Sequence, residues 1–502
     1  MGGYNVASRG KQRAKFSGRP KSDVHTIVVF DNEHETPYMD FEETERDVSL
    51  LDPFVPEAAE WLIRSTNGRV TKTLASAALL FVDMNDFVKT SMGTARDLSS
   101  IGCRMYSRRA ASRGPRHVFK TSSQCNSYMR EVLAEYFERL IRIVNAYDGS
   151  VVALIGDAML AAWFVEANQN GTDGRLTHVT QRARFCAQSI LSDVHGCALR
   201  DALIVKVKLM ISTGPVTFVP IRLVSRSYEV TITGEALNDF QKMKCDMEAG
   251  KIVFNKLSSE LLSRAITPCP TSLSRGSNST RDHASSRIGT DVTHFVSAHV
   301  VQALNHGLIY GLPSKNEVCT VVFVRFSAEA IEREDWCDER FIHCVKTIEF
   351  AVLTFQGSLL QIVVDENGPS CMCAFGLLSA PKHHAASRGL RCAQRILRAL
   401  PDFKTRVACG VATGSVNMGS VCGTKRSAFH VNVSLIGLPV ILAARLAEAT
   451  NSRSVAMDEE TRVHATSFNF DMTRSSWHAY VLKGFPRETR SFVTILDVTL
   501  KN

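Results

Sequence analysis

Two stretches of this chain carry the same order of apolar segments, and that repeat constrains the fold more than any single motif. The first reads as a strand over 78–82, a helix over about 127–147, a hairpin over 151–164 and a helix over about 179–195. Strands over 205–212 and 228–233 and a helix over 236–247 complete it. The second reads as a strand over 319–326, a helix over 341–355, a hairpin over 359–375 and a helix over 385–399. Strands over 406–412 and 431–436 and a helix over 439–449 follow. Met129, Val132, Leu133, Tyr136, Phe137 and Leu140 recur at helical spacing, as do Phe341, Val345, Ile348, Val352 and Phe355. Each of these helices runs into a glycine turn, Asp148-Gly149 or Gln356-Gly357. The order predicts an α+β fold, a βαββαβ ferredoxin-like core with additions, present twice.

A chain of 502 residues has room for two or three such cores. No apolar run is long enough to span a bilayer, and no N-terminal segment has the apolar centre of a secretory signal. Cys186, Cys245, Cys344, Cys392 and Cys409 are scattered without zinc spacing, and Cys371-Met372-Cys373 has no matching second pair. They read as reduced thiols of a cytoplasmic protein. Residues 1–48 form a basic tail expected to be disordered, 49–76 an N-terminal arm, 77–265 the first domain, 266–315 a Ser-rich linker with a short helix over 295–309, and 316–498 the second domain. A basic insert over about 92–126 contains Arg104, Arg108, Arg109, Arg113, Arg116 and Lys120, and reads as a surface loop. The net charge of +9 comes with no aromatic interleaving or nucleic-acid module, so no nucleic-acid partner is expected. The basic tail offers a peripheral membrane contact. Gly2 would suit acylation there, but Val6 stands where that motif has Ser or Thr.

The chemistry is carried by two aspartates. Asp83 ends the run Ala78-Leu79-Leu80-Phe81-Val82, and Asp157 follows Val151-Val152-Ala153-Leu154-Ile155-Gly156. An acid after an apolar run is most often a cap or turn residue. Two of them at neighbouring strand ends are also the hard-oxygen ligands that a divalent ion handling phosphates requires.

Around them the sequence resembles the class III nucleotidyl cyclases, most closely the tandem-domain soluble adenylyl cyclases, over about 51–498. Leu80-Phe81-Val82-Asp83-Met84-Asn85-Asp86-Phe87 is similar to the first metal-aspartate motif, and Ile155-Gly156-Asp157-Ala158-Met159-Leu160-Ala161-Ala162-Trp163 to the second. Ala408 to Gly414 and Leu435 to Gly437, with Leu442 to Arg445, are similar to the later motifs. The resemblance implies two cyclase homology domains paired head to tail as an intramolecular pseudo-dimer. It implies ATP, with GTP as the alternative, converted to cyclic AMP and pyrophosphate with two Mg²⁺ or Mn²⁺ ions held by Asp83 and Asp157. Lys208 would contact the terminal phosphates, Phe87 would lie in the triphosphate turn, and Arg445 would stabilise charge on the α-phosphate. Gln361 and Ser434 would meet the purine.

Several positions depart from the family's pattern. Gln361 replaces the adenine-selecting lysine, Ile441 the ribose-orienting asparagine, Asp86 a glycine of the phosphate turn, and Val88 a threonine. Arg325 occupies the position matching Asp83 in the second half, leaving Asp365 alone there, so that site is expected to hold no metal. Ala153 and Gln241 stand where bicarbonate-responsive members have a lysine and an arginine, so no bicarbonate response is expected. A second reading therefore stands beside the enzyme. In it the chain is an inactive cyclase-homology protein that binds nucleotide and serves as a regulator, adaptor or ciliary or flagellar scaffold, with another signalling or cyclase protein as partner.

Overall fold

The computed structural model describes residues 55–84, 122–166, 172–200, 203–225, 227–264, 292–296, 315–326, 338–365, 368–377, 382–400, 407–420, 433–450, 453–466, 475–479, 482 and 490–495. The basic tail, most of the basic insert, Asp86, Phe87, Val88, the Ser-rich linker and most of the short helix expected over 295–309 lie outside those residues. Val48–Asn502 forms one compact unit.

The first half contains α1 (Glu57–Ser65), β1 (Thr73–Met84), α2 (Ser122–Ala146), β2 (Ser150–Ile155), β3 (Ala158–Glu166), α3 (Thr172–Asp193), β4 (Val207–Arg222), β5 (Tyr228–Thr233), α4 (Glu235–Met243), β6 (Ile252–Phe254) and α5 (Lys256–Arg264). Its strands run in the order β2-β3-β1-β4-β5, with β6 beside β4. The second half contains β7 (Lys315–Phe326), α6 (Asp338–Thr354), β8 (Ser358–Asp365), β9 (Gly368–Phe375), α7 (Ala385–Ala399), β10 (Val407–Ser420), β11 (Val433–Ile436), α8 (Leu438–Ala449), β12 (Ser454–Asp458), α9 (Glu459–Thr466), β13 (Ser475–Ala479) and β14 (Arg490–Ile495). There the order is β13-β14-β12-β10-β7-β9-β8, with β11 beside β10. The four central strands of each sheet share one order and pair antiparallel throughout, which is the βαββαβ arrangement expected.

β1 is apolar without alternation because both its faces are covered. Ala78, Leu80 and Val82 pack in one core with residues of α2 and α3, while Ala77, Leu79 and Phe81 pack with α1 and α4. The repeat extends to irregularities. β2 and β8 carry register shifts at equivalent places, between Val151 and Ala153 and between Leu359 and Gln361. Asp148 and Gln356 both adopt left-handed backbone, φ 55° and 54°. A Cβ on the next residue would lie 2.6 Å from the Trp163 ring at Gly149 and 2.5 Å from the Phe375 ring at Gly357, so only glycine lets the chain turn there.

Strand β4 runs well past the end that the sequence suggests. β4 continues through Gly214-Pro215 to Arg222, although that dipeptide reads as a turn. Pro215 pairs with Ser76 on one side, while β5 begins pairing only at Thr217 and β6 stops at Ile211, so the missing amide is not needed on the other side. Its extension carries Val219, Ile221 and Leu223 into the core of the second half. In return, Ile436 joins the core of the first half and Ile441 packs against it. Polar bonds reinforce the exchange: Asn126 Nδ2 donates to the Ser415 carbonyl at 2.9 Å, and the Ser225 amide donates to Glu349 at 3.1 Å. Helix α1, strand β6, helix α5 and everything from β12 onward were not anticipated from periodicity, since most are short. No described helix is long and apolar enough to cross a membrane, and the described cysteines form no disulfide.

Each half also buries a matching polar network. In the first, Asn255 Oδ1 accepts from the amides of Thr213 at 3.2 Å and Ser258 at 3.0 Å. In the second, Asp458 Oδ1 accepts from the amides of Thr413 at 3.3 Å and Thr461 at 2.9 Å. Burial pushes the Asp458 carboxyl up to about 6 despite these bonds. An unfolded aspartate titrates near 3.9, about two units lower, so the native state binds the extra proton between those values. This group's contribution to stability is full below about pH 4 and is lost as pH rises through about 6. Asp458→Asn, which copies Asn255, should remove that dependence. Thermal midpoints across pH 4–7 should show the variant gaining on the wild type as pH rises and standing no lower at pH 7.

Candidate functional site

Strand register brings the two aspartates to one end of the first sheet. Asp83, the penultimate residue of β1, pairs with Ala158 of β3 on one side and Lys208 of β4 on the other. Asp157 directly precedes Ala158, in the two-residue turn joining β2 to β3. Gly156 opens that turn at φ 63°, the position where a type II′ hairpin requires glycine. Both aspartates are half-buried. Lys208 stands directly across the ladder from Asp83, where opposing Cβ atoms lie about 5 Å apart, so its side chain leaves the same face of the sheet.

Tyr136 of α2 is fully buried below this end. Its hydroxyl has no hydrogen-bond partner, although such a group costs about 1–3 kcal/mol when left unmade. Burial holds its phenol well above the usual range, and the charges of Asp83 and Asp157 raise it further. It stays protonated and can only donate or accept a hydrogen bond. Periodicity had marked Tyr136 as core; nothing in the sequence pointed to its hydroxyl.

The second half supplies the remaining candidates. Gln361, in β8, donates from Nε2 to the carbonyl oxygen of Leu154 at 2.8 Å, crossing to the strand that leads to Asp157. Ser434 lies in β11 with its backbone opposite Gly419, and its side chain is outside the described residues. Ile441 is spent on packing against the first half's core. Arg445, in α8, is bound to Glu448 at 2.7 Å, and the other oxygen of Glu448 lies 3.9 Å from Arg325. Burial alone would raise the Glu448 carboxyl. The Arg445 hydrogen bond and the charges of Arg445, Arg325 and Lys244 outweigh it and hold the group below the usual range.

Arg325 itself sits in β7 between Ala408 and Ser370, as Asp83 sits in β1 between Lys208 and Ala158. The equivalent strand ends are thus reversed in charge. Asp365 ends β8 opposite Gly368.

No family model matches the chain. Among curated proteins it is similar to adenylate cyclase type 10 of Homo sapiens, 20% identical over 360 residues that cover 63% of this chain and 21% of that protein. The same protein of Rattus norvegicus is 20% identical over 63% of this chain and 22% of its own length. The chain is class III cyclase-like. It spans about a fifth of the length of these two relatives. Among solved structures, a class III adenylyl cyclase-like ATP-binding protein from Pseudomonas aeruginosa overlays with a TM-score of 0.49 at 12% identity, covering 79% of this chain and 86% of that one. The adenylyl cyclase CyaB of P. aeruginosa gives a TM-score of 0.30 at 19% identity, covering 37% and 96%.

A divalent ion fits the donors present. No three candidate ligands cluster among the described residues. Mg²⁺, however, commonly takes one or two carboxylates and completes its shell with water and substrate phosphates. Asp83 and Asp157 offer that pair. The Gln361 bond, for its part, should be measurable without any ligand. Gln361→Leu leaves the Leu154 carbonyl without its donor and should cost about 1–2 kcal/mol in urea unfolding. Gln361→Lys retains a donor and should cost less.

Proposed function

We propose that this cyclase-like chain binds ATP, with GTP as the alternative, through two Mg²⁺ or Mn²⁺ ions at Asp83 and Asp157, and converts it to cyclic AMP and pyrophosphate. The observation that supports this reading most is the convergence of those two carboxylates at one sheet end through β1–β3 pairing and the Gly156 turn. Divalent ions there would make the ribose 3′-hydroxyl more acidic and neutralise charge on the triphosphate. The 3′-oxygen then forms a bond to the α-phosphorus as the bond to the bridging oxygen breaks and pyrophosphate leaves. Asp83 and Asp157 would hold and orient the reacting groups, and Lys208 would add positive charge beside them for the terminal phosphates. Phe87 would lie in the triphosphate turn, and Ser434 beside the purine. With the Gln361 amide nitrogen engaged by Leu154, its oxygen would be what meets the base, as an acceptor. Arg445 would act on the α-phosphate only after leaving Glu448.

A second reading is favoured by three observations on the second half. Ile441 is committed to packing, Arg445 to Glu448 and Gln361 to Leu154. In that reading the chain binds metal and nucleotide with little turnover and acts as a regulator or adaptor, with another signalling protein as partner. The basic tail over 1–48 would then provide a membrane-proximal contact in the cytoplasm or a cilium.

Purified protein incubated with Mn²⁺ and ATP or GTP separates the two. The enzyme reading expects cyclic nucleotide that falls at least ~100-fold in Asp83→Asn and in Asp157→Asn, and a comparable loss in Arg445→Ala. Glu448→Gln, which removes the charge pairing with Arg445, should raise turnover. Metal-dependent nucleotide binding without product supports the regulator. Absence of metal-dependent binding overturns both.

A further inference from the structure

The tyrosine beneath the aspartates has a counterpart that reveals its specialisation. Asp148 and Gln356 mark the same left-handed position after α2 and α6, and the register shifts in β2 and β8 keep the same offset. Counting back from there, Tyr136 corresponds to Cys344. The half that holds both aspartates therefore has a phenol at this place on its helix. The half in which Arg325 replaces one of them has a buried thiol. Leu133 and Leu140 correspond to Phe341 and Ile348, apolar and buried in both halves, whereas Val132 corresponds to the exposed Arg340.

Height in the fold agrees. α2 ends at Ala146 and leads to Ser150, which stands across Ala162 of β3 from Leu79. From that level Asp83 is four residues further along β1, roughly 13 Å at strand rise. Tyr136 is ten residues back along α2, roughly 15 Å at helix rise. The ring thus lies at the level of the carboxylates, in one packed cluster with Leu154 and Met159, which flank the turn that carries Asp157. Asp83 follows Val82 of the same cluster and leaves β1 on the other face, that of Leu79 and Phe81. Among the described residues several other hydroxyls of this half find partners: Thr180 with Thr213 at 3.1 Å, Ser258 with Thr213 at 2.8 Å, and Tyr147 with Ser189 at 2.7 Å. The buried hydroxyls of Tyr136 and of Ser212, which stands across from Leu79 on β4, have none there.

We propose that the Tyr136 hydroxyl is a positioning donor of the metal site, hydrogen-bonding a carboxylate oxygen of Asp157 once a divalent ion draws that side chain into its bound geometry. It is not a ligand. It fixes which lone pairs of that carboxylate face the ion, the role that outer partners commonly play at metal centres. The inference rests on the metal reading given under Proposed function.

The test is Mn²⁺ binding to the full chain without nucleotide, followed by electron paramagnetic resonance, for the wild type, Asp157→Asn and Tyr136→Phe. Removing an unpartnered hydroxyl leaves the ring and its packing in place, so Tyr136→Phe should unfold at the same temperature as the wild type, or higher, when metal is absent. Its Mn²⁺ affinity should fall about 10- to 100-fold. Wild-type affinity in Tyr136→Phe, with binding lost in Asp157→Asn, overturns this proposal and leaves the aspartate reading standing. So does a variant whose stability falls while its affinity does not. A wild type that binds no Mn²⁺, or an Asp157→Asn variant that binds as well as the wild type, overturns the aspartate reading and this proposal with it.

Discussion

The end of β4 carries Val219, Ile221 and Leu223 out of the first sheet and buries them in the core of the second half, while Ile436 returns from β11 to the core of the first. Fully burying a branched aliphatic side chain contributes about 1.5–3 kcal/mol, so each half would expose several such groups if separated. The placement of the second half's candidate residues against the first half follows from this exchange. Gln361 can reach Leu154 only because the β8 edge of one half is held against the β2 strand of the other. Asn126 reaches Ser415 because α2 extends beyond its own sheet towards β10. A site assembled from both halves depends on apolar side chains that never touch it.

The second half's candidate positions are occupied by structural contacts. Ile441, where the cyclase pattern has an asparagine, packs against the neighbouring core. Arg445 has a charged partner in Glu448, and Arg325 lies near the same carboxylate, so two guanidinium groups share one carboxylate within one half. The aspartate pair is different, since two half-buried carboxylates at one sheet end repel one another, a cost that the metal ions proposed for them would offset.

How much of this could be read beforehand followed the range of the interactions concerned. Apolar periodicity marked the four central strands and both long helices of each half, and the α7 boundaries at 385 and 399 agree with the structure. It failed where the deciding partner was remote. Periodicity ends β4 at 212 whereas the strand runs to Arg222, and only the positions of β5 and β6 show why Pro215 is tolerated within it. The two aspartates were legible because strand ends and a glycine turn are local. The engagement of Gln361 with Leu154 spans 207 residues of sequence and left no trace in the motif. Neither did the lack of a partner at the Tyr136 hydroxyl, since a core tyrosine and a core phenylalanine have the same periodicity.

The repeat supplies the comparison that a single fold cannot. Equivalent positions have faced the same backbone and nearly the same packing, so a difference between halves isolates what each site asks of its residues. Asn255 and Asp458 accept the same two amide bonds, yet only the second carries a charge whose burial works against folding at neutral pH. Asp83 against Arg325, Lys208 against Ala408 and Tyr136 against Cys344 diverge together at one sheet end. Independent drift would scatter such changes over the surface. Concentration at one end, with two carboxylates, a lysine and a phenol together in the first half, is what the polar ligand proposed for that end would require.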